Sequence, residues 1–286
     1  MTADTLARLG TDIDEAFFLI GVAMLLIELV KAAVTGSLRW RGVADMLASA
    51  STQIPFLLVE IVVLTAAYAV YTTLADAVAA WSLPITVWTA VLAVLVADFI
   101  YYWEHRFAHE VRVLWLHHAV HHSSRQMNII TGVRFGPFEG VWSAIALTPM
   151  VLIGFPPELV IFGTLVVLAY QTWIHTELIG KLGPLEWVLN TPAHHRVHHG
   201  CDDKYLDRNY GGILIVWDRL FGTFQAEEQT PRYGLKRDFD SVNPLRVWIS
   251  EFPQFFRDLA RARGGREIWM RIFGRPDWRP AQDAAD

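Results

Sequence analysis

All eleven histidines of this 286-residue chain fall between His105 and His199. All but His175 lie in three short arrays: H-R-F-A-H (His105 and His109), H-H-A-V-H-H (117–122) and H-H-R-V-H-H (194–199). Imidazole ligates zinc, iron and copper through a neutral ring nitrogen, so this density within one region points to more than one metal ion. The single cysteine, Cys201, excludes a multi-thiolate zinc or iron–sulfur site and an intramolecular disulfide framework. Metal chemistry here must therefore rest on nitrogen and oxygen ligands.

The spacing within the arrays is informative. His105 and His109 are four apart, which on a helix stacks two imidazoles on one face about 6 Å apart. The other two arrays share the pattern H-x-x-H-H, formed by His118, His121 and His122 and by His195, His198 and His199. On a helical turn the first two histidines of each triplet are expected to face one side, with the third rotated by about 100°. Each triplet would then offer two ligands to one ion and a third to its neighbour. Two triplets and the H-x3-H pair supply eight ligands, and His175 is expected to be a ninth. His117 and His194 only extend their arrays by one and are expected to be spare.

Those residues must be delivered by the rest of the chain, whose composition is that of a membrane protein. Apolar residues make up 53%, mean hydropathy is +0.30, and twelve tryptophans accompany sixteen phenylalanines. A net charge of −5 gives no electrostatic case for nucleic acid. A spanning helix needs roughly 20 mostly apolar residues, and runs at 16–34, 54–74, 84–103, 138–155 and 158–175 come near or reach that length. Asp4, Asp12, Asp14 and Glu15 precede the first run, where a cleaved signal peptide would carry positive charge. Arg39 and Arg41 follow the first run, only Asp76 follows the second, and Arg106, Arg112, Arg125 and Arg134 follow the third. The positive-inside rule then places the N-terminus outside and brings His105, His175 and His194 to the cytoplasmic face. The expected fold is an all-α, multi-pass integral membrane protein. It would have about five transmembrane helices and a cytoplasmic helical cap carrying a histidine-rich dimetal site.

In this scheme residues 1–104 are anchor spans. Residues 105–230 form the catalytic region, including a transmembrane hairpin at 138–176, and residues 231–286 form a cytoplasmic C-terminal segment. An amphipathic pattern over 245–262 suits either the membrane surface or packing on the cytoplasmic region. Extending the His105 face backwards reaches Tyr102 and Asp98, the latter about 10 Å deeper in the bilayer. An intramembrane carboxylate is a candidate functional group, as an anchor for an imidazole N–H or as a wall of a substrate pocket; the alternative is a helix-paired acid.

At these residues the chain resembles the fatty acid hydroxylase superfamily of membrane-bound oxygenases. Its fingerprint of H-x3-H, H-x2-H-H and a second H-x2-H-H stands here in order. The flanking strings D-F-I-Y-Y-W-E-H-R-F-A-H-E (98–110), L-H-H-A-V-H-H-S-S (116–124), N-T-P-A-H-H-R-V-H-H-G (190–200) and N-Y-G-G-I-L-I-V-W-D-R-L-F-G-T-F (209–224) extend the likeness over about residues 85–235. They point to the sterol desaturase-like branch that includes alkylglycerol monooxygenase-like proteins. The paired histidine that fatty acid 2-hydroxylases carry near the fifth span is represented only by His175, with Ile179 four residues on. The resemblance implies two iron ions and an O2-dependent reaction that hydroxylates or desaturates a lipid or sterol-like substrate. It implies His105, His109, His118, His121, His122, His195, His198 and His199 as the catalytic ligands, with His175 joining them on the metal. Asp98, Tyr102, Asn190 and Asn209 would support those ligands or face the substrate. No stretch reads as a fused haem or flavin domain, so a separate electron donor is expected.

Two other classes make different demands on the sequence. A histidine-rich metal-binding or metal-transporting membrane protein without oxidative chemistry would carry ionisable residues near the middle of several spans, whereas only Glu28, Glu60 and Asp98 lie well inside the runs. A zinc hydrolase would want H-E-x-x-H, and His109-Glu110 is followed at the required position by Val113.

Overall fold

Backbone N–H and C=O groups in hydrocarbon must be paired within their own segment or a closed barrel, so isolated apolar runs become helices. The computed structural model describes residues 1–280; residues 281–286, the end of the C-terminal segment, lie outside the described residues. Among the described residues there is no named strand, only two isolated bridges. The long apolar helices are α1 (Ala3–Val34), α3 (Gln53–Ala77), α4 (Val87–Glu110) and α7 (Pro157–Tyr170). A shorter α2 (Trp40–Ser51) runs into α3, and a 3-10 turn at Gln171–Ile174 prolongs α7. Four segments are thus long and apolar enough to cross a bilayer. In the most apolar stretches of α1 and of α2–α3 only 6% of residues are buried, so their outer faces suit lipid rather than water.

The expected fifth span, at 138–155, is shorter than a full crossing. It forms α6 (Glu139–Leu152), 14 residues or about 21 Å of helix against a hydrocarbon thickness of about 30 Å. It is followed by Gly154, whose positive φ of 104° lets the chain reverse into Pro156, the cap of α7, and Pro157, its first residue. α6 therefore acts as the short arm of a hairpin, packed against α3 and α4.

The bundle is centred on α7, which lies between α1 and α4. Small residues allow the α4–α7 crossing to be close: Ala93 and Ala97 of α4 are buried, and a Cβ on Gly163 would stand 2.6 Å from the Ala93 carbonyl oxygen. Around it Leu6, Tyr71, Leu147, Met150, Phe155 and Leu159 form the core.

The histidine-bearing elements gather at one end of this bundle. Helix α4 starts at a Thr86–Thr89 capping box and runs unbroken through His105 and His109, so the expected boundary at 104/105 falls inside it. Val111 is extended (φ −117°, ψ 118°), which ends α4 and turns the chain into α5 (Arg112–His122). Next come α8 (Pro192–His198) and α9 (Val216–Phe221), then α10 (Pro244–Trp248), α11 (Phe252–Ala260) and α12 (Gly265–Phe273). The last two brace α5: Arg112 is ion-paired with Asp258 of α11, and its N–H donates to the Gly274 carbonyl at 3.0 Å. Of the two placements open to 245–262, packing is realised for Phe255 and Asp258, which are buried, while Phe256 is 60% exposed.

Filling the α4–α7 crossing tests this arrangement. Gly163→Val should lower the stability of the detergent-purified protein by about 1–3 kcal/mol through overpacking. An unchanged thermal midpoint would contradict the close approach.

Candidate metal centre

Two groups of imidazoles lie side by side at the ends of α4, α5, α7 and α8. In the first, His105, His109, His118, His122 and His198 each offer a ring nitrogen, all within 4.8 Å of one another. In the second, His121, His175, His195 and His199 do the same. The groups abut, with the His122 and His199 rings stacked at 4.4 Å between centroids. All nine histidines expected from the sequence are brought together. His117 and His194 lie in neither group; the first packs against Phe138 and Phe252, the second against Phe224.

The division within each triplet differs from the expected one. The first and third histidines share a group (His118 with His122, His195 with His199), and the middle one crosses to the other (His121, His198). The reason is helical: positions four apart differ by about 40° in azimuth, positions three apart by about 60° in the opposite sense. The i,i+4 pair converges best, and the middle imidazole is left to face the neighbouring group. Each triplet still contributes two ligands to one group and one to the other.

Backbone carbonyls fix the ring tautomers. A carbonyl oxygen only accepts, so each Nδ1 against one must carry the proton. His105 Nδ1 donates to Tyr210 O at 2.9 Å, His121 to Arg134 O at 3.2 Å, His175 to Gln171 O at 2.9 Å and His198 to Arg208 O at 3.0 Å. The Nε2 atoms of these four rings are then bare lone pairs. His121 Nε2 and His175 Nε2 nevertheless stand 3.1 Å apart, with neither able to donate to the other. His195 Nε2 approaches His175 Nε2 to 2.7 Å, and His198 Nε2 is buried without a protein partner. Converging lone pairs repel unless a cation sits among them, so this donor set fits metal ions held mainly by neutral nitrogen.

Electrostatics agrees. Burial first, and neighbouring imidazoles second, hold His118, His121, His122, His195, His198 and His199 well below the ordinary histidine value. Burial also lowers His175 to about 4, against an opposing contribution from its bond to Gln171. These rings are neutral near pH 7, the protonation state a ligand needs.

Asp98, Tyr102, Asn190 and Asn209 touch no imidazole directly with their side chains. Asp98 accepts from Ile213 N (2.6 Å), Leu214 N (3.1 Å) and Trp217 Nε1 (2.8 Å), so it pins a loop to α4. Tyr102 hydrogen-bonds Thr223 Oγ1 at 3.0 Å. Asn190 donates to Gly211 O at 2.6 Å. Asn209 is buried in the left-handed region (φ 56°), where its Nδ2 donates to His194 O and Gln225 O and its Oδ1 accepts from Gln225 N. That turn matters because the residues on either side of it, Arg208 and Tyr210, supply the carbonyls that orient His198 and His105. All four side chains hydrogen-bond into residues 211–225, next to the turn whose carbonyls meet His105 and His198.

Three supporting groups have no signature in the spacing. Glu139 Oε1 lies 3.0 Å from His118 Nδ1, and Asp218 accepts from Tyr210 N and Gly211 N. Arg134, fully buried, pairs with Asp45 of α2 at 2.9 Å. Only the buried charge they imply could have flagged them, and burial is not visible in sequence.

Residues 90–223 match the family model described as Fatty acid hydroxylase. Among curated proteins the chain is 42% identical over 202 residues to an alkylglycerol monooxygenase of Xenopus tropicalis and 41% identical over 202 residues to one of Homo sapiens. Each alignment covers 71% of this chain and 44% of the relative. It is also 34% identical over 135 residues to the ornithine lipid hydroxylase OlsE of Rhizobium tropici, covering 47% of this chain and 41% of that protein. The chain thus spans less than half the length of these relatives. No solved structure matches.

Replacing Asn209 should misalign the carbonyls on either side of it. Asn209→Ala is expected to weaken cobalt(II) binding by about 10–100-fold, whereas His194→Ala should leave it within about twofold, its ring being outside both groups. Equal effects in a metal titration would refute this division of roles.

Proposed function

We propose that this chain, whose residues 90–223 match the Fatty acid hydroxylase family model, is a membrane-bound non-haem di-iron oxygenase. It would use O2 and two electrons from a separate donor to hydroxylate, or alternatively desaturate, a lipid. The observation that carries this reading is the pair of adjacent imidazole groups, with four Nδ1–H groups engaged by carbonyls and Nε2 lone pairs facing inwards. Supporting it, the similar proteins are named as a monooxygenase and a lipid hydroxylase.

His105, His109, His118, His122 and His198 would hold one iron, and His121, His175, His195 and His199 the other. Iron bound there supplies oxygen activation and the cleavage of an unactivated C–H bond, which zinc, lacking redox chemistry, does not. The chain contributes orientation and dryness: the carbonyls of Arg134, Gln171, Arg208 and Tyr210 fix the directions of His121, His175, His198 and His105, and burial keeps those four rings neutral. The groups sit at the ends of α4 and α7, so a lipid whose reacting carbon lies a short way into the bilayer suits the site. Arg39, Arg41, Arg112 and Arg125 lie in the segments at or near that end, which supports a cytoplasmic location. In this scheme 105–230 is the catalytic region and 231–286 the cytoplasmic C-terminal segment, of which α11 and α12 brace α5. Hydroxylation is favoured over desaturation because both named activities insert oxygen.

The test is lipid analysis of expressing cells under oxygen-18, with metal analysis after anaerobic purification. A labelled hydroxyl, iron in the wild type, and loss of product by at least about 100-fold in His122→Ala or His198→Ala are expected. Loss of two hydrogens without label would make the enzyme a desaturase. Iron-free, active protein would refute the oxygenase reading, and metal binding with no oxidised lipid would favour a metal-handling membrane protein.

A further inference from the structure

We infer that Glu28 of α1 is a positioning residue for the second histidine group, so that one metal position is held from a span outside residues 90–223. The inference rests on the two-metal reading above and adds to it. Glu28 Oε1 accepts from Thr176 Oγ1 at 2.5 Å and Oε2 from Ile129 N at 3.0 Å. Both contacts lead to His175. Thr176, fully buried, is the next residue in the chain. Ile129 begins the 3-10 turn Ile129–Val133, in which Gly132 lies so close to the His175 ring that a Cβ there would stand 2.9 Å from Nδ1. One carboxylate thus fixes the two segments on either side of this imidazole.

His175 is a sensitive point to hold. Its Nε2 lies 3.1 Å from that of His121 and 2.7 Å from that of His195, so it joins ligands from α5 and α8. A shift of a few tenths of an ångström would alter both approaches.

The second group has a further brace from the N-terminal helices. Asp45 of α2 pairs with Arg134, whose guanidinium also donates to Ser49 Oγ and Val120 O and whose carbonyl orients His121. The first group is supported differently: its carbonyls come from Arg208 and Tyr210, and its carboxylate contacts from Glu139 and from Asp207, 3.6 Å from His109 Nδ1, all within residues 90–223. α1 therefore reaches the second group, whereas α2, through Arg134 and Val120, also braces the α5 turn that carries His118 and His122 of the first. Glu28 is the better probe, because breaking the buried Arg134–Asp45 pair would leave an uncompensated charge and unfold the region.

Cobalt(II) titration of the detergent-purified full chain, followed by visible absorption and by metal counting, tests this without reference to turnover. Wild type is expected to take up two cobalt ions. Glu28→Ala should retain one at wild-type affinity and bind the second about 10–100-fold more weakly. Glu28→Gln, which keeps one accepting oxygen, should fall between them. Leu6→Ala, a core truncation elsewhere on α1, serves as the control: it should lower the thermal midpoint while leaving both cobalt affinities unchanged. Two wild-type-like sites in Glu28→Ala, parallel loss of both, or equal weakening in Leu6→Ala would overturn the role given to Glu28. A single cobalt in the wild type would overturn the two-metal reading itself, and this inference with it.

Discussion

A neutral imidazole has one N–H and one lone pair, so engaging the N–H decides where the lone pair points. Four histidines here give their Nδ1 protons to backbone carbonyls, and their bare Nε2 atoms are directed into a shared buried space. The 3.1 Å approach of His121 and His175 is unfavourable between two lone pairs and favourable around a cation. Much of the structure around the groups serves to hold those carbonyls: the left-handed turn at Asn209, the buried Arg134, and the 3-10 turn that ends α7. The same burial keeps the rings unprotonated, so orientation and ligand basicity have one origin.

The membrane spans contribute more than location. Close crossing of α4 and α7 through Gly163 and Ala93 fixes the distance between the helix that bears His105 and His109 and the one that leads into His175. Asp98, inside that bundle, binds the 213–217 segment by three hydrogen bonds and so ties the loop after α8 to the α4 scaffold. A carboxylate this deep is costly unless paired, and Asp98 meets that cost by accepting from all three of these donors. Charged contacts between Arg112, Asp258 and Arg271 close the C-terminal helices over α5.

Much of this was legible in the sequence, for identifiable reasons. Hydrophobic run length is a local property, so α1, α3, α4 and α7 could be read directly; α6 fell short because the turn through Gly154, Pro156 and Pro157 ends it after 14 residues. Ligand spacing is also local, and it singles out eight of the nine histidines of the two groups, while His175 stands alone and is legible only from its place at the end of an apolar run. The assignment within each triplet was less secure, since 40° and 60° offsets differ too little to decide without the facing helix. Asp98, Tyr102, Asn190 and Asn209 were picked out as important residues, but whether they touch a ring, a substrate or a loop depends on contacts more than a hundred residues away in some cases.

By itself the sequence determined that the chain is helical, crosses a membrane, and carries nitrogen ligands for metal, because periodicity, apolar length and residue chemistry are all encoded at short range. Only the tertiary structure decided which histidine joins which group, which carbonyl sets each tautomer, and that Glu28 and Asp45 reach the second group from the first helices. Those outcomes depend on how distant segments meet, where differences of a few tenths of an ångström and a few tens of degrees choose among arrangements that local spacing permits equally.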